Sequence, residues 1–298
     1  MVNGVIIIDK EPGFTSHDVV AKMRGICGQK KIGHTGTLDP MATGVLPVCL
    51  GSGTKLCDLL ADRDKEYVAE LLLGVETDTQ DITGRVLAER KVEAEEDQVR
   101  AVCAGFLGDY EQIPPMYSAL KVDGKKLYEL ARAGREVERK ARTVKIAELE
   151  ILECRLPVVR MRVVCSKGTY IRTLCADIGT KIGCGGTMKS LRRTRVGKFM
   201  LENAITLSGL QQLKNQERLT EAVLPVDSVF EDCPALHVSA GNERFLDNGN
   251  AIYPGQILEH VCHEPGRWVR FYRPEGSFAG IYAYDEQKQW YRPVKMFL

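Results

Sequence analysis

The chain lacks any long hydrophobic run, and no uninterrupted apolar stretch approaches the roughly 20 residues of a membrane-spanning helix. The apolar run at residues 5–8 is too short for the hydrophobic region of a signal peptide, and no basic segment precedes it. These absences argue against a membrane protein and a secreted one. We therefore expect a cytoplasmic protein in which residues 5–8 form a buried strand.

The ten cysteines include no C-x-x-C pair, the spacing that would indicate a zinc or redox site. Most of them lie among apolar neighbours, as small buried side chains do. The nearest approach to a metal-ligand cluster is His260, Cys262 and His263, and no second pair of ligands completes a tetrahedron. The sequence therefore predicts no bound metal.

The chain also lacks an excess of either charge, since 41 basic and 40 acidic residues give a net charge of +1. The distribution is nevertheless uneven. Residues 189–198 carry five basic side chains and no acidic one, residues 121–145 are also basic, and residues 76–97 lean acidic. Segregated positive charge indicates either a polyanionic partner on one face or an ordinary solvated basic surface, and charge alone does not choose between them.

The remaining patterns indicate a mixture of helices and strands. Ser16 is placed to cap a helix whose apolar residues extend to Ile26, and residues 95–107 and 125–133 also have helical patterns. Strands are predicted at 65–73, 143–152 and 158–166, and a β-like segment at 167–172 leads into a helix at 173–182. From residue 230 short β-prone runs and turns predict a small β-barrel-like module, which contains both tryptophans.

The segment 33–44 carries one acidic side chain, Asp39, among glycines, threonines and a proline. Pro40 favours an extended backbone at Asp39, and the glycines allow sharp bends or close approach to a ligand. A carboxylate held in this way is typical of either a catalytic group or a turn residue, and composition alone favours the turn.

Three other features are ambiguous when taken alone. Residues 51–55 (Gly-Ser-Gly-Thr-Lys) weakly suggest a phosphate-binding loop and so a nucleotide-dependent enzyme, but they do not match the complete motif. His34 is either half of an acid–base pair or a contact residue. Tyr170 and Arg172, two residues apart on a predicted extended segment, point the same way and could be surface residues.

Taken in order along the chain, several segments resemble the motifs of bacterial tRNA pseudouridine-55 synthases of the TruB type. The segment 33–55 is the most specific of them. The family's Lys-Pro-x-Gly is altered at the first motif, where Lys10 is followed by Glu11 and then Pro12. The resemblance extends over residues 1–228, and the matching segments are 5–16, 33–55, 65–78, 166–174 and 191–194.

The resemblance implies that Asp39 is the catalytic aspartate and that Arg172 pairs with it. A neighbouring guanidinium would favour the ionised carboxylate and fix its orientation. Tyr67 matches the tyrosine that stacks on the target base and assists removal of the C5 proton. The implied reaction detaches uracil from its ribose, rotates the base and rejoins it through C5. It needs no metal, nucleotide or other cofactor, and Asp39 acts either as nucleophile or as base.

The implied partner is the T-stem-loop of tRNA, whose target uridine must be extruded from the folded loop. His34 matches the histidine that fills the space left behind, while Tyr170 and Leu191 match positions that line the pocket. The remaining predicted RNA contacts are the basic residues Lys10, Arg192 and Arg193, together with the stretches 121–145 and 189–198, which would meet phosphates recognised mostly by shape.

The implied fold is α+β, the pseudouridine-synthase fold. It has a central mixed, largely antiparallel sheet flanked by helices and a small C-terminal β-barrel resembling a PUA domain. The expected domains are residues 1–228, catalytic, and 230–298, RNA-binding, with a basic insertion at 114–142 that orders on RNA. The protein is expected to act as a monomer. The alternative is a non-catalytic tRNA-binding or tRNA-folding protein with the same fold.

Overall fold

The computed structural model describes residues 1–118, 120–122 and 124–298. The strands are β1 (Gly4–Lys10), β2 (Ile32–His34), β3 (Thr43–Leu50), β4 (Lys65–Leu73), β5 (Val75–Thr77), β6 (Val86–Glu89), β7 (Gly108–Gln112), β8 (Lys121–Val122), β9 (Lys125–Lys126), β10 (Arg142–Arg155), β11 (Val158–Cys165), β12 (Gly186–Val196), β13 (Phe199–Met200), β14 (Ala235–His237), β15 (Trp268–Tyr272), β16 (Phe278–Asp285) and β17 (Trp290–Met296). The α-helices are α1 (Ser16–Cys27), α2 (Cys57–Ala61), α3 (Glu96–Ala104), α4 (Leu127–Arg132), α5 (Ile171–Ile182), α6 (Leu207–Asn215) and α7 (Glu243–Asp247).

A mixed sheet organises the larger part of the chain, with strands in the order β1-β3-β12-β4-β11-β10-β7. Short strands β2 and β13 pair at its sides. The pairings are antiparallel except where β12 runs parallel to β3 at Arg192–Thr43 and Arg193–Gly44. This architecture confirms the α+β class and the strands predicted at 65–73, 143–152 and 158–166.

At β1 and β3 the central sheet is buried on both faces, as alternation along β1 demonstrates. Ile6 and Ile8 enter the main core, where they join residues of α1, α3, α5 and α6. Val5 and Ile7 enter a second cluster on the other face, with Phe230 and Phe297. The period-2 geometry of a strand sends neighbouring side chains to opposite faces. The C-terminal residues therefore cover one face of the sheet.

Helix α1 begins where it was predicted, but its cap is the preceding residue. Thr15 has an extended backbone (φ −71°, ψ 158°), and its hydroxyl accepts a hydrogen bond from the Asp18 N–H while the Asp18 carboxylate accepts from the Thr15 N–H. The prediction that Ser16 is the cap was therefore wrong. The Ser16 hydroxyl is engaged instead with Leu38, on the neighbouring loop.

Helix α5 begins two residues earlier than predicted. Tyr170 is extended (φ −100°, ψ 107°) and occupies the N-cap position, so Arg172 lies in the first helical turn. The expectation that Tyr170 and Arg172 share an extended segment was wrong. The glycine turn at residues 167–168 ends the strand region before Tyr170, and Ile171, Leu174 and Cys175 then bury one side of α5 against the main core.

The C-terminal residues form an open four-stranded sheet, β14-β15-β16-β17, and this corrects the expected closed barrel. Residues 230–298 are all described, and within them β14 and β17 are not paired with each other. Within these residues the sheet is extended by isolated bridges alone, at Val238–Ile257, Ile252–Tyr291 and Pro265–Tyr284. Four strands, one of them three residues long, are too few to close a barrel.

The expected boundary near residue 229 falls in a short 3₁₀ helix, Val226–Phe230. Val226, Val229 and Phe230 are buried in the cluster that both parts of the chain share. The insertion predicted at 114–142 contains β8, β9 and α4, and its residues 119 and 123 lie outside the described residues. In the described part of the chain, no helix is long and apolar enough to cross a membrane.

Candidate active site

The loop between β2 and β3 carries Asp39, and backbone contacts hold it from several sides. The Ser16 hydroxyl accepts from the Leu38 N–H at 2.9 Å and donates to the Leu38 carbonyl at 3.3 Å. The carbonyl of Pro40 accepts from the Gly13 N–H at 3.0 Å and from the Lys10 ammonium at 2.9 Å. Residues on both sides of Asp39 are therefore fixed, so its carboxylate projects from a rigid loop.

Asp39 and Arg172 form an ion pair in direct contact, through Oδ2 and Nη2. The Arg172 side chain is 8% exposed, whereas that of Asp39 is 36% exposed. The guanidinium belongs to the first turn of α5, on a helix that the main core anchors. The structure thus brings together the two residues that the resemblance paired, with the arginine buried and the carboxylate facing solvent.

Asp81 is a site residue that the sequence analysis missed. Its Oδ2 lies 3.7 Å from Nη1 of Arg172, whereas Asp39 contacts Nη2 of the same guanidinium. Its Oδ1 accepts hydrogen bonds from the Thr83 N–H and the Thr79 hydroxyl, both at 2.9 Å. These contacts fix the carboxylate in the turn between β5 and β6. Its sequence, Asp-Thr-Gln-Asp, gives no signal beyond that of an ordinary polar turn.

Tyr67 and Leu191 lie on adjacent strands of the sheet beneath the loop. Tyr67 is 8% exposed and stands opposite Arg193 in the β4–β12 register. Burial raises the pKa of the Tyr67 phenol, and Arg193 partly opposes that effect. The ring is therefore un-ionised at neutral pH. Leu191 pairs with Ala69 and packs against the main core.

Tyr170 lies two residues before Arg172 and is held through its backbone. The Gln112 side chain accepts from the Tyr170 N–H at 2.8 Å and donates to the Tyr170 carbonyl at 3.0 Å. Gln112 is 1% exposed and ends β7, where the insertion begins. A buried amide thus fixes the backbone that places Arg172.

His34 ends β2 at the entrance to the Asp39 loop. Its Nδ1 accepts a hydrogen bond from the Gly36 N–H at 3.3 Å. Desolvation is the main cause that lowers the pKa of His34, and the nearby charges of His17 and Arg193 add to it. The imidazole is therefore neutral at pH 7, which fits a contact residue.

Lys10 and Arg193, both predicted to contact RNA, are instead buried. Lys10 is 0% exposed, and its ammonium donates to the carbonyls of Glu11, Phe14 and Pro40. Burial lowers the pKa of Lys10 to about 8, an effect that Asp39 opposes. Arg193 is 1% exposed. Burial of both side chains argues against a direct phosphate contact, and their predicted RNA contact stays a prediction.

Arg192 points to the other face of β12 and is partly exposed. It donates to Asp9 at 2.8 Å and to the Thr43 hydroxyl at 3.2 Å. Its side chain is 41% exposed, so a charge remains open to solvent beside the site. The predicted RNA contact of Arg192 stays a prediction.

The glycine-rich residues 51–55 form part of a 3₁₀ helix, Gly51–Leu56, and not a phosphate-binding loop. A Cβ atom at Gly53 would lie 2.5 Å from the Gly4 carbonyl oxygen, so this backbone packs directly on β1. The Lys55 ammonium donates to the Met296 carbonyl at 2.9 Å. These glycines serve close packing, and the nucleotide-dependent alternative has no site here.

Of the candidate metal ligands near residue 260, His263 is engaged in other contacts and Cys262 is an exposed free thiol. The His263 Nδ1 lies 2.7 Å from the Tyr291 hydroxyl, and its ring stacks on Tyr284. Across residues 1–118, 120–122 and 124–298, no three His, Cys, Asp or Glu side chains come together as metal ligands would. All ten cysteines are free thiols.

Comparison with known proteins agrees with this geometry. Residues 24–171 match the N-terminal domain of the TruB family of pseudouridylate synthases, and residues 172–231 match the C-terminal domain of tRNA pseudouridylate synthase B. The chain is 52% identical to tRNA pseudouridine synthase B of Lachnoclostridium phytofermentans, over 100% of both chains. It is 49% identical to that of Alkaliphilus oremlandii, over 94% of this chain and 92% of the relative.

Solved structures extend the similarity to the fold. An H/ACA ribonucleoprotein bound to a substrate RNA containing 2′-deoxyuridine includes a chain with a TM-score of 0.73 and 28% identity, over 99% of this chain and 85% of that one. A Cbf5–Nop10–Gar1 complex gives a TM-score of 0.73 and 31% identity over the same shares. Family match, identity over the full length and fold agree: the chain belongs to the TruB family of pseudouridylate synthases.

Proposed function

We propose that this protein isomerises the uridine at position 55, in the T-loop of tRNA, to pseudouridine, with Asp39 as the essential carboxylate. Family membership and the relatives named tRNA pseudouridine synthase B support a tRNA uridine isomerase. In this reaction the bond from C1′ to N1 breaks and the bond from C1′ to C5 forms. The C5 proton leaves and N1 gains a proton, so the product is an isomer of the substrate.

The contact between Asp39 and Arg172 is the observation that carries the proposal. A planar guanidinium in contact with a carboxylate restricts its orientation. Because Arg172 is buried and Asp39 is partly exposed, the free side of the carboxylate faces the space from which a substrate would approach. Addition to C1′ and removal of a sugar proton both require this ionised, oriented carboxylate.

The nucleotide must leave the T-loop before its sugar can reach Asp39, because neither C1′ nor the sugar proton is accessible in the stacked loop. We assign Tyr67 to stacking on the extruded base, with Leu191 and Tyr170 beside it. Stacking on an aromatic ring contributes about 1–3 kcal/mol per base. The raised pKa of Tyr67 supports this role better than that of a proton acceptor.

His34 is assigned to the space that the base leaves in the RNA loop. A neutral imidazole can stack between bases without the cost of burying a charge, and its lowered pKa supplies the neutral form. Arg192 and the exposed cations of the stretches 121–145 and 189–198 would meet phosphates of the T-stem-loop. Lys189, with 44% of its side chain exposed, is one of them.

The remaining organisation follows from this partner. Residues 1–228 would form the catalytic domain and residues 230–298 a PUA-like RNA-binding domain, while the insertion at 114–142 would order on RNA. The protein would act as a monomer in the cytoplasm. The open C-terminal sheet and the shared cluster around Phe230 support an RNA-binding part fixed on the catalytic sheet.

The substitution Asp39→Asn tests the proposal, with release of tritium from tRNA that carries 5-³H-uridine as the measure of C5–H cleavage. We expect the rate to fall by at least about 10³-fold, because the amide can neither add to C1′ nor accept a proton. tRNA affinity should remain within about threefold, since phosphate contacts dominate binding.

Asp62→Asn is the matched control, because Asp62 pairs with Lys167 at the surface and its side chain is 64% exposed. It should release tritium at the wild-type rate. If Asp39→Asn also did so, the catalytic assignment would be wrong. A wild-type protein that bound tRNA and released no tritium would support the non-catalytic binding or folding protein instead.

A further inference from the structure

Arg193 is a fully buried cation beneath the Asp39 loop, and none of the acidic side chains that the structure describes pairs with it. It is 1% exposed, the largest of the fully buried side chains. Among the residues that the structure describes, no carboxylate lies within 4.0 Å of its guanidinium. Burying an unpaired charge is costly unless its hydrogen bonds are satisfied. The hydrogen bonds of the Arg193 guanidinium therefore have to offset the cost of burying its charge.

The guanidinium of Arg193 binds the two ends of the segment that carries Asp39. Its Nε donates to the Val45 carbonyl at 2.6 Å, at the start of β3, and its Nη2 donates to the Gly36 carbonyl at 3.2 Å. Gly36 and Val45 enclose the residues between them, Asp39 included. A planar guanidinium with donors in a fixed fork is suited to hold two acceptors at a set separation.

The same arginine reaches two other groups of the site. The Gly36 peptide that it holds through the carbonyl donates its N–H to Nδ1 of His34. Tyr67 stands opposite Arg193 across β4 and β12, and the guanidinium opposes the rise in the pKa of the phenol that burial causes. Arg193 therefore holds the Asp39 loop, is linked through Gly36 to the His34 ring, and neighbours Tyr67.

The backbone around Arg193 leaves little room for adjustment. Gly44 has φ +100°, and a Cβ atom there would lie 2.1 Å from the Arg193 carbonyl oxygen. This glycine permits the close parallel approach of β3 and β12. The side chain of Arg193 then reaches along β3 to Val45 and into the loop.

We propose that Arg193 is a positioning residue for the isomerisation, a buried clamp that closes the segment 36–45 and orients His34 and Tyr67 around Asp39. The inference rests on the proposed function, since it concerns the rate of that reaction. It assigns Arg193 to geometry within the site and not to RNA affinity. Arg192, next to it on the exposed face of β12, is the residue placed to contribute affinity.

Arg193→Lys carries the test, because it keeps the charge while one ammonium cannot reproduce the two directed bonds of the fork. Arg193→Ala would empty the core and is the variant at risk of misfolding. We expect the single-turnover rate at saturating tRNA to fall by about 10²-fold, as misplacement by about 1 Å can cause. The dissociation constant for tRNA should change by less than about threefold, because no phosphate contact is lost.

Arg162→Lys is the matched control, since Arg162 also lies on the central sheet but binds Glu66, Glu148 and Glu150 away from the loop. It should keep the wild-type single-turnover rate. All rates are measured at the same interval below each variant's melting temperature, which separates positioning from loss of folded protein. Titration of the His34 imidazole by NMR supplies a second readout, and its shift or line width should change in Arg193→Lys alone.

The possible outcomes separate the proposed role of Arg193 from the proposed isomerase activity. If the wild type and Arg162→Lys form no pseudouridine, the proposed function fails. If both form it and Arg193→Lys matches their rate, or loses tRNA affinity in proportion to rate, Arg193 is not a positioning residue. If Arg193→Lys does not fold, or leaves the His34 signal unchanged, its role is general to the core and the inference is overturned.

Discussion

The two ends of β3 carry glycine-rich segments of similar composition and different use. The Asp39 loop precedes Thr43, and the 3₁₀ helix Gly51–Leu56 follows Leu50. Each has one charged side chain that sequence patterns associate with chemistry, Asp39 in the first and Lys55 in the second. Composition favours a turn for the first and suggests a phosphate loop for the second.

The difference lies in what surrounds each charged group. Asp39 meets a buried guanidinium and keeps 36% of its side chain exposed. Lys55 donates its ammonium to carbonyls at the C-terminus, including that of Met296, and the glycines before it pack on residues 2–4. One segment leaves a reactive group unsatisfied on its open side, whereas the other uses its charge to fasten two parts of the chain. The use of a glycine-rich segment is therefore decided by its neighbours.

Among the groups around Asp39, replacing its partner Arg172 should have the largest effect on the reaction rate. Arg172→Lys should lower the rate of pseudouridine formation by about 10²- to 10³-fold, as loss of an oriented electrostatic contact does. A lysine keeps the charge but loses the planar group that fixes the carboxylate. Single-turnover assays at saturating tRNA measure the effect. A change below threefold would mean that Asp39 needs no orienting partner.

Asp81→Asn removes the charge beside the other terminal nitrogen of Arg172, Nη1. The amide keeps the shape of the side chain and loses the charge that lies 3.7 Å from Arg172. We expect a rate loss of about 10-fold, smaller than that of Arg172→Lys because the direct contact with Asp39 survives. Asp78→Asn, in the same hairpin, is the control. Equal losses in the two variants would indicate damage to the hairpin alone.

The alkaline limb of the pH–rate profile tests the contribution of Lys10, whose ammonium binds the Pro40 carbonyl next to Asp39. Burial lowers the pKa of Lys10 to about 8, so its ammonium loses a proton as the pH rises through that value. The neutral amine has two N–H groups and can no longer donate to all three carbonyls, those of Glu11, Phe14 and Pro40. The rate should fall several-fold between about pH 7 and 9.5, with half the loss near the pKa. The contribution of Lys10 to the free energy of unfolding should change in the opposite direction to the rate. Its pKa is lower folded than unfolded, so the unfolded chain binds more protons between about pH 8 and 10.5 and the free energy of unfolding rises with pH.

Two variants identify the group responsible for that limb. Lys10→Met should lose it, because the titrating amine is gone. Lys65→Met should retain it, although burial also lowers the pKa of Lys65 to about 8, because its ammonium binds Ala61 and Arg63 at a distance from the loop. An unchanged limb in Lys10→Met would contradict the assignment.

Lys55→Met tests the second glycine-rich segment, Gly51–Leu56, and should have the smallest effect on the protein. The free energy of unfolding should fall by about 1 kcal/mol, because the ammonium is partly exposed and loses a charge-assisted hydrogen bond. Denaturant unfolding measures the loss, and the single-turnover rate should stay at the wild-type value. A substantial rate loss would mean that the second segment takes part in the chemistry.

Much of the sheet could be predicted from the sequence, because strands such as β4 alternate visibly between buried and exposed positions. The start of α5 could not. Tyr170 and Arg172 fit a period of two, and only the packing of Ile171 and Leu174 reveals that the helix begins earlier. Closure of the C-terminal barrel depends on strand pairing, which local propensity does not encode.

The residues of the site also differ in how far the sequence alone identifies them. Asp39 and Arg172 were identified through motif resemblance, and their contact requires the fold. Arg192 and Arg193 look alike in a basic run, yet strand alternation sends one toward solvent and the other into the core. Asp81 was missed because its role comes from a partner 91 positions away along the chain, Arg172.

Mapping the product on RNA tests whether Asp39 catalyses isomerisation at uridine 55. An unmodified T-arm minihelix is incubated with the wild type or with Asp39→Asn, treated with carbodiimide and then alkali, and read by reverse transcription. We expect a single new stop, at the position equivalent to uridine 55, with the wild type and none with Asp39→Asn. Modification at another uridine, or the same stop with the variant, would contradict it.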